Sequence, residues 1–229
     1  MRKYVPIAII CWVCLVVLCA CGGGDGSTSN QRLAVTPPAY DNVGEILTSM
    51  GKSFSEIPVA ELANSKLRDT YDVVFINCAD FTKVITPEML ANLRIFVEKG
   101  GILYGSDNAG EILAGAFPEQ MQLYQDIYQG EKQSLTARVA DAGLAKDLGT
   151  SELKINFPEG WVPVRLTGTG VSTLVLGDAK LFKTDTPVKD VIMSVSFKKG
   201  TGKVVFTGFH FSDLETPALR QNYINSVLF

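Results

Sequence analysis

The sequence predicts an α/β domain, a three-layer sandwich in which helices cover both faces of a mainly parallel sheet. Strand-like and helix-like segments alternate through the first half of the domain, as in parallel βα units. Residues 71–78 are almost continuously apolar, which is typical of a strand covered on both faces. The last 40 or so residues predict a β-hairpin followed by a closing helix.

The first elements are short. Residues 33–35 predict a strand, and Asp41 is the predicted N-cap of a helix that stops at Gly51. Residues 54–62 are ambiguous and are compatible with a second short strand.

The most clearly marked helix begins after Thr86. Thr86 is a favourable N-cap, Pro87 suits the first helical position, and the apolar side chains that follow recur at helical spacing. The glycine pair 100–101 ends this helix. A strand over 102–105 and a short helix over 109–116 are predicted next.

The second half consists mainly of strands. Residues 120–183 are less regular than the rest, with short strands separated by glycine-rich turns. The predicted strands of the second half are 153–157, 162–166, 171–176, 191–197 and 204–211. The last two form the hairpin, and Thr216 opens the closing helix.

The N-terminus resembles a bacterial lipoprotein leader. Arg2 and Lys3 precede an apolar run over 5–18, which is too short for a comfortable membrane span. The run ends in Leu18-Cys19-Ala20-Cys21, similar to a lipobox in which Cys21 receives palmitate and other acyl chains. An ordinary signal peptide and an N-terminal anchor helix are the alternatives.

This resemblance implies three segments. Residues 1–20 are the signal peptide, 21–31 are a flexible Gly/Ser tether with lipidated Cys21, and 32–229 are a single domain. Gly22, rather than an acidic residue after the lipidated cysteine, favours the outer membrane if the host has two membranes. The expected location is therefore the cell envelope, where a lipid would anchor the protein. Cys78 is the remaining thiol of the mature chain.

Charge and composition exclude several function classes. The formal charge is −3, and removal of Arg2 and Lys3 with the leader takes it to −5. No basic patch is therefore expected to bind nucleic acid. The single histidine excludes a multi-histidine metal centre, and neither a metal nor a cofactor is expected. An acidic surface favours a neutral or cationic partner.

Two segments resemble the class I glutamine amidotransferases, which have a flavodoxin-like fold. In 96–110, FVEKGGILYGSDNAG, a helix ending in glycines leads into a strand and a sharp turn. The segment 202–211, GKVVFTGFHF, is similar to the strand that delivers the family's catalytic histidine. The resemblance implies a nucleophile elbow at the end of the first of these strands.

Steric requirements place this elbow at Asp107. A nucleophile elbow needs small residues two positions to either side of its centre, because strand and helix approach closely there. Gly105 and Ala109 meet this requirement for Asp107, whereas centring on Ser106 would place Tyr104 at a small position. A carboxylate cannot perform the family's thiolate attack. Divergent members, including the trehalose-utilisation-like domains, also lack the cysteine.

His210 is the candidate acid/base, but its orienting partner is displaced. In amidotransferases a glutamate follows the histidine by two residues, and Ser212 occupies that place here. Asp213, one residue further, and Glu215 are candidates to orient His210, or they are solvated loop carboxylates. Glutaminase activity is therefore not expected.

Other candidates surround the elbow. The candidate ligand site comprises Gly105, Ser106, Asp107 and Asn108, although Asp107 and Asn108 would equally serve to cap the following helix. Cys78 and Asp80 are predicted at the pocket rim, against the alternatives of a buried inert thiol and an ordinary loop aspartate. Trp161 is either an exposed ligand platform or a core residue.

The leading hypothesis is a membrane-anchored envelope lipoprotein. Its degenerate amidotransferase-like domain would bind a small ligand or a protein partner without glutaminase activity. One alternative is a hydrolase of carbohydrate or peptide material that uses Asp107 and His210, or a triad of Ser106, His210 and an acid. Another is a structural module of an envelope assembly.

Overall fold

The computed structural model describes residues 31–124 and 129–229. The predicted leader, the lipidation of Cys21 and all but the last residue of the tether lie outside the described residues. Among the residues described, no helix combines the length and apolar character needed to cross a membrane.

The described residues form eleven strands and six α-helices. The strands are β1 (Leu33–Val35), β2 (Ser55–Glu56), β3 (Val73–Ile76), β4 (Ile102–Ser106), β5 (Met121–Leu123), β6 (Gln133–Val139), β7 (Glu152–Phe157), β8 (Val164–Thr167), β9 (Val171–Ala179), β10 (Val188–Lys199) and β11 (Gly202–Thr207). The helices are α1 (Val43–Ser49), α2 (Leu67–Thr70), α3 (Pro87–Glu98), α4 (Gly110–Ala116), α5 (Ala142–Leu148) and α6 (Pro217–Leu228).

The sheet has a parallel and an antiparallel half. Strands β2, β1, β3, β4 and β11 lie side by side in this order and run parallel. From β11 the sheet continues antiparallel through β10, β9, β6 and β7, while β8 pairs with both β10 and β5. The predicted α/β class, parallel core and C-terminal hairpin are confirmed.

Helices cover both faces of the sheet, which gives the predicted three layers. One apolar core contains side chains of α1, α5 and α6, including Leu47 and Tyr223. The other contains side chains of α3 and α4, including Leu93 and Leu113. Because alternate residues of the parallel strands enter different cores, these strands are apolar on both faces.

The caps show which local predictions were right. The Thr86 hydroxyl accepts a hydrogen bond from the backbone N–H of Met89 at 3.1 Å, so the predicted start of α3 is confirmed. The prediction for α1 was wrong, because Asn42 rather than Asp41 caps it and accepts from the N–H of Glu45 at 3.3 Å. Asp41 is instead buried in the sheet-end cluster described below.

Candidate functional site

The connection from β4 to α4 is a sharp elbow centred on Asp107. Asp107 has a φ of +48°, a strained conformation for a non-glycine residue, and opens a single 3₁₀ turn before α4 begins. A Cβ atom added to Gly105 would lie 3.0 Å from Leu113 Cδ1 and 3.1 Å from the Cβ of Ala109. Strand and helix thus approach as closely as the sequence argument required.

The carboxylate of Asp107 is buried, with 6% of the residue exposed, and both of its oxygens are in contact with other groups. Oδ1 accepts a hydrogen bond from the backbone N–H of Val162 at 2.8 Å. Oδ2 accepts from the thiol of Cys78 at 3.6 Å and lies 3.4 Å from His210 Nε2. Asp107 does not cap α4, whose first turn has no side-chain cap, so that alternative was wrong.

His210 reaches the elbow from a loop, whereas the sequence predicted that it lies on a strand. Strand β11 ends at Thr207, and His210 precedes a 3₁₀ turn over 211–213. The backbone N–H of His210 donates to Asp213 Oδ2 at 2.9 Å, and the imidazole Nδ1 lies 3.7 Å from the same oxygen. Asp213 therefore holds the loop through this backbone hydrogen bond, and its carboxylate lies beside Nδ1 of the ring.

The sheet-end cluster comprises Asp41, Cys78, Asp107, His210 and Asp213, and its charges favour an imidazolium. Burial by itself lowers the pKa of His210, but the side chains of Asp107 and Cys78 and the charges of Asp41 and Asp213 raise it to about 11. Burial raises the pKa of Asp213 to about 6, and burial also raises the pKa of the Cys78 thiol. These shifts favour a protonated thiol and an imidazolium at neutral pH, both in contact with the carboxylate of Asp107.

Asp41 also lies at this end of the sheet, although its sequence context predicted only a helix cap. Its Oδ2 accepts a hydrogen bond from the Ser106 hydroxyl at 2.7 Å, and burial raises its pKa. Because this hydroxyl is buried and bonded to Asp41, the triad of Ser106 with His210 has no geometric support. A carboxylate shortly after a parallel strand was the available signal, since ligand sites gather at the carboxyl edge of such sheets.

Two other candidates, Asp80 and Glu215, lie outside the cluster. Asp80 is exposed and accepts hydrogen bonds from the N–H and hydroxyl of Thr82 at 3.0 and 2.6 Å. Glu215 pairs with Lys154 at 3.1 Å instead of orienting His210. Cys78 is buried, with 1% of its surface exposed, so it lies beneath the elbow and not at a pocket rim.

The segment around Trp161 covers the elbow. Trp161 is fully buried, its ring centroid lies 4.0 Å from that of Phe157, and its indole N–H donates to the carbonyl of Glu131 at 3.1 Å. It is therefore a core residue and not a ligand platform. The next residue, Val162, places its backbone N–H on the Asp107 carboxylate.

An open groove lies beside the covered elbow. It has a volume of about 1070 Å³ and is lined by the side of α4, by β5 and by Val162. Met121 and Leu123 supply apolar surface, while Gln122 and Arg165, hydrogen-bonded to each other at 2.7 Å, supply polar groups. The accessible crevice is therefore next to the Asp107 carboxylate, with Val162 between them.

Comparisons with known proteins identify the fold. No known family profile matches the sequence, and no curated protein sequence matches it either. A protein from Thermoplasma acidophilum that is assigned to GMP synthase superposes with a TM-score of 0.59 at 9% identity, covering 86% of this chain and 94% of its own. The fold is class I glutamine amidotransferase-like.

Two further structures agree with this fold. A ThuA-like protein from Bacteroides uniformis has a TM-score of 0.58 at 11% identity, over 86% of this chain and 89% of its own. A glutamine amidotransferase from Thermotoga maritima has a TM-score of 0.52 at 13% identity, over 86% and 81%. A β-galactosidase from Bacillus circulans contains a similar region, but the match spans only 30% of that enzyme. At these identities the likeness concerns the fold alone.

Proposed function

We propose that this chain is an envelope lipoprotein whose amidotransferase-like domain binds a small polar ligand and has no glutaminase activity. The observation that carries the proposal is the residue at the elbow. Asp107 has the left-handed backbone expected of an elbow centre, and its carboxylate is buried in hydrogen bonds and an ion pair.

A glutaminase mechanism needs a thiolate at the elbow, exposed to the substrate amide and activated by an adjacent base. Asp107 offers a carboxylate that already accepts from the Val162 N–H. The thiol of Cys78 is close by, but it is buried, and its raised pKa keeps it protonated. Neither group meets the requirements for nucleophilic attack on glutamine.

The groove beside the elbow is the proposed ligand site. Its size is that of a small-molecule site, and its mixture of apolar surface with a guanidinium and an amide suits a ligand with hydrogen-bonding groups. Arg165 and Gln122 would orient such a ligand, while Met121 and Leu123 would cover its apolar part. An envelope protein that inserts a side chain here is the other outcome to be tested.

The contact between Asp107 and His210 favours a hydrolase as the second candidate. Two titratable side chains 3.4 Å apart at the carboxyl edge of a parallel sheet are a common catalytic arrangement. In the described conformation, however, each residue is 94% buried, so a substrate would have to displace the segment around Val162. The binding function requires no such movement.

Two assays on the purified full chain test the binding proposal. The wild type should release no glutamate from glutamine. Glutaminase turnover by the wild type that disappears in His210→Gln would refute the proposal. A ligand screen by thermal shift should yield compounds that stabilise the wild type and Asp107→Asn alike but not Arg165→Ala. Equal shifts in all three proteins for every compound would remove the groove as the site.

The lipid anchor is tested by a matched pair of cysteine variants. Cys21→Ser should abolish palmitate labelling and move the protein out of the membrane fraction, because the proposed acyl acceptor is lost. Cys19→Ser, two residues away, should leave both unchanged. Palmitate labelling that is lost in Cys19→Ser but kept in Cys21→Ser would overturn the proposed anchor. Membrane retention without any labelling would also overturn it.

A further inference from the structure

Three potential metal ligands meet at the elbow from three neighbouring strand ends. Cys78 follows β3, Asp107 follows β4 and His210 lies beyond β11. The thiol sulfur, a carboxylate oxygen and an imidazole nitrogen of these residues all lie within 4.8 Å of one another. We propose that Cys78 Sγ, Asp107 Oδ2 and His210 Nε2 bind a zinc ion, a function beyond the ligand binding proposed for the groove.

The two distances to Asp107 Oδ2 match those of a tetrahedral zinc site. With ordinary zinc–ligand bonds and tetrahedral angles, a thiolate sulfur and a carboxylate oxygen are ~3.5 Å apart, and an imidazole nitrogen and a carboxylate oxygen are ~3.3 Å apart. The corresponding distances to Asp107 Oδ2 are 3.6 Å from Cys78 and 3.4 Å from His210. Cys78 Sγ and His210 Nε2 lie within 4.8 Å of each other and would have to be ~3.5 Å apart around the ion.

The imidazole nitrogen that faces this cluster lacks a hydrogen bond. Among the described residues, His210 Nε2 is completely buried and has no hydrogen-bond partner of ordinary geometry, although Asp107 Oδ2 lies 3.4 Å away. A buried polar nitrogen without a partner destabilises the folded state. Zinc would displace the protons of the His210 imidazolium and of the Cys78 thiol to solvent. This leaves a thiolate and a neutral imidazole, which binds the metal through the lone pair of Nε2.

The surrounding groups hold the ligands in place. Asp107 Oδ1 accepts from the N–H of Val162, which leaves Oδ2 directed at the cluster. Asp213 lies on the opposite side of the imidazole, with Oδ2 3.7 Å from Nδ1. A small movement would let this carboxylate accept the Nδ1–H hydrogen bond that orients metal-binding histidines in many proteins. A thiolate and a carboxylate would neutralise the two charges of the zinc ion.

The donor set favours zinc and related transition metals over magnesium and calcium. Magnesium and calcium prefer oxygen ligands, whereas a thiolate together with an imidazole suits zinc and related transition metals. Three protein ligands leave a fourth coordination position for water. No metal was expected, because a single histidine excludes a multi-histidine centre. A single histidine is nevertheless compatible with this mixed set of one thiolate, one carboxylate and one imidazole.

Metal binding is tested on the full chain in detergent, with Cys11, Cys14, Cys19 and Cys21 replaced by serine so that Cys78 is its sole thiol. Cobalt serves as the spectroscopic probe and zinc as the competitor. We expect one cobalt ion per chain, a thiolate-to-cobalt charge-transfer band and loss of that band when zinc is added. Absence of the band, or binding of several ions without saturation, would overturn the proposal.

Three substitutions in the same background make the assignment specific. Cys78→Ser should remove the charge-transfer band and weaken zinc binding at least about 100-fold, and Asp213→Asn should weaken it about 10- to 100-fold. Glu215→Gln, a nearby exposed carboxylate outside the cluster, should change nothing. Circular dichroism checks that each variant is folded, and Asp107→Asn replaces Cys78→Ser if the latter is not. Zinc affinity that is equal in all variants would refute the site, whatever the outcome of the groove experiments.

Discussion

Removal of the elbow carboxylate should destabilise the protein strongly. Asp107→Ala removes the carboxylate that lies 3.4 Å from the imidazolium of His210, and loss of one member of a buried ion pair costs about 3–5 kcal/mol. It also leaves the Val162 N–H without an acceptor, which costs about 1–3 kcal/mol. The two losses share one side chain and do not add, so we expect the free energy of unfolding to fall by about 3–5 kcal/mol.

Asp107→Asn separates the two contributions. The amide oxygen can still accept from the Val162 N–H, and asparagine tolerates a positive φ, but the negative charge is gone. This variant should therefore be more stable than Asp107→Ala by about 1–3 kcal/mol. Urea unfolding of the full chain at neutral pH, with a chelator present to exclude metal, measures both differences.

Two results would refute this reasoning. If Asp107→Ala costs less than about 1 kcal/mol, the buried contacts of the elbow carboxylate do not stabilise the fold as argued. If the alanine and asparagine variants are equally stable, the hydrogen bond to Val162 contributes nothing. A double-mutant cycle with His210→Gln would then show whether the ion pair or the backbone contact was misjudged.

Three further predictions concern stability. Gly105→Ala should lower the free energy of unfolding in urea by about 1–3 kcal/mol, because the added Cβ would lie 3.0–3.1 Å from side chains of the elbow and α4. Unchanged stability would contradict the close approach of strand and helix. Ser194→Ala should lower the free energy of unfolding by about 1–3 kcal/mol, because the buried Tyr223 hydroxyl donates to Ser194 Oγ at 2.8 Å. Ser194→Thr is the matched control, since it keeps a hydroxyl acceptor. Hydrogen bonds from Arg32 hold the pKa of Asp72 well below its usual range, so Asp72 stabilises the fold above about pH 4 and loses this effect as the pH falls further. Asp72→Asn should therefore lower stability at pH 7 by up to about 1 kcal/mol, given the partial exposure of the pair, and the difference from wild type should shrink in acid; a difference independent of pH would contradict this.

The sequence contained enough information for the parallel half of the fold. Continuous apolar strands, the Thr86–Pro87 helix start and the glycine pair 100–101 are local signals with a direct structural meaning. The elbow at Asp107 was predictable because its steric requirement involves residues only two positions away. These features depend on neighbours along the chain, which a sequence shows directly.

The cluster itself was less predictable because its contacts are distant in sequence. Asp41 lies 65 residues from the Ser106 hydroxyl that it accepts from, and Cys78 lies 29 residues from Asp107. Local patterns made Asp41 a helix cap and placed His210 on a strand. Only the order of strands in the sheet brings these side chains together, and the antiparallel half that covers them was visible in the sequence merely as scattered short strands.

The last strand of the chain occupies the middle of the sheet. β11 lies between β4, with which it pairs in parallel, and β10, with which it forms a hairpin. The partner residues on β4 and β11 are about one hundred positions apart, so this pairing carries a large loop-closure cost and should make folding slow. During synthesis the apolar edge of β4 stays without this neighbour until β11, about one hundred residues later, has emerged. That exposed edge is a natural binding site for chaperones and a point at which truncated chains would aggregate.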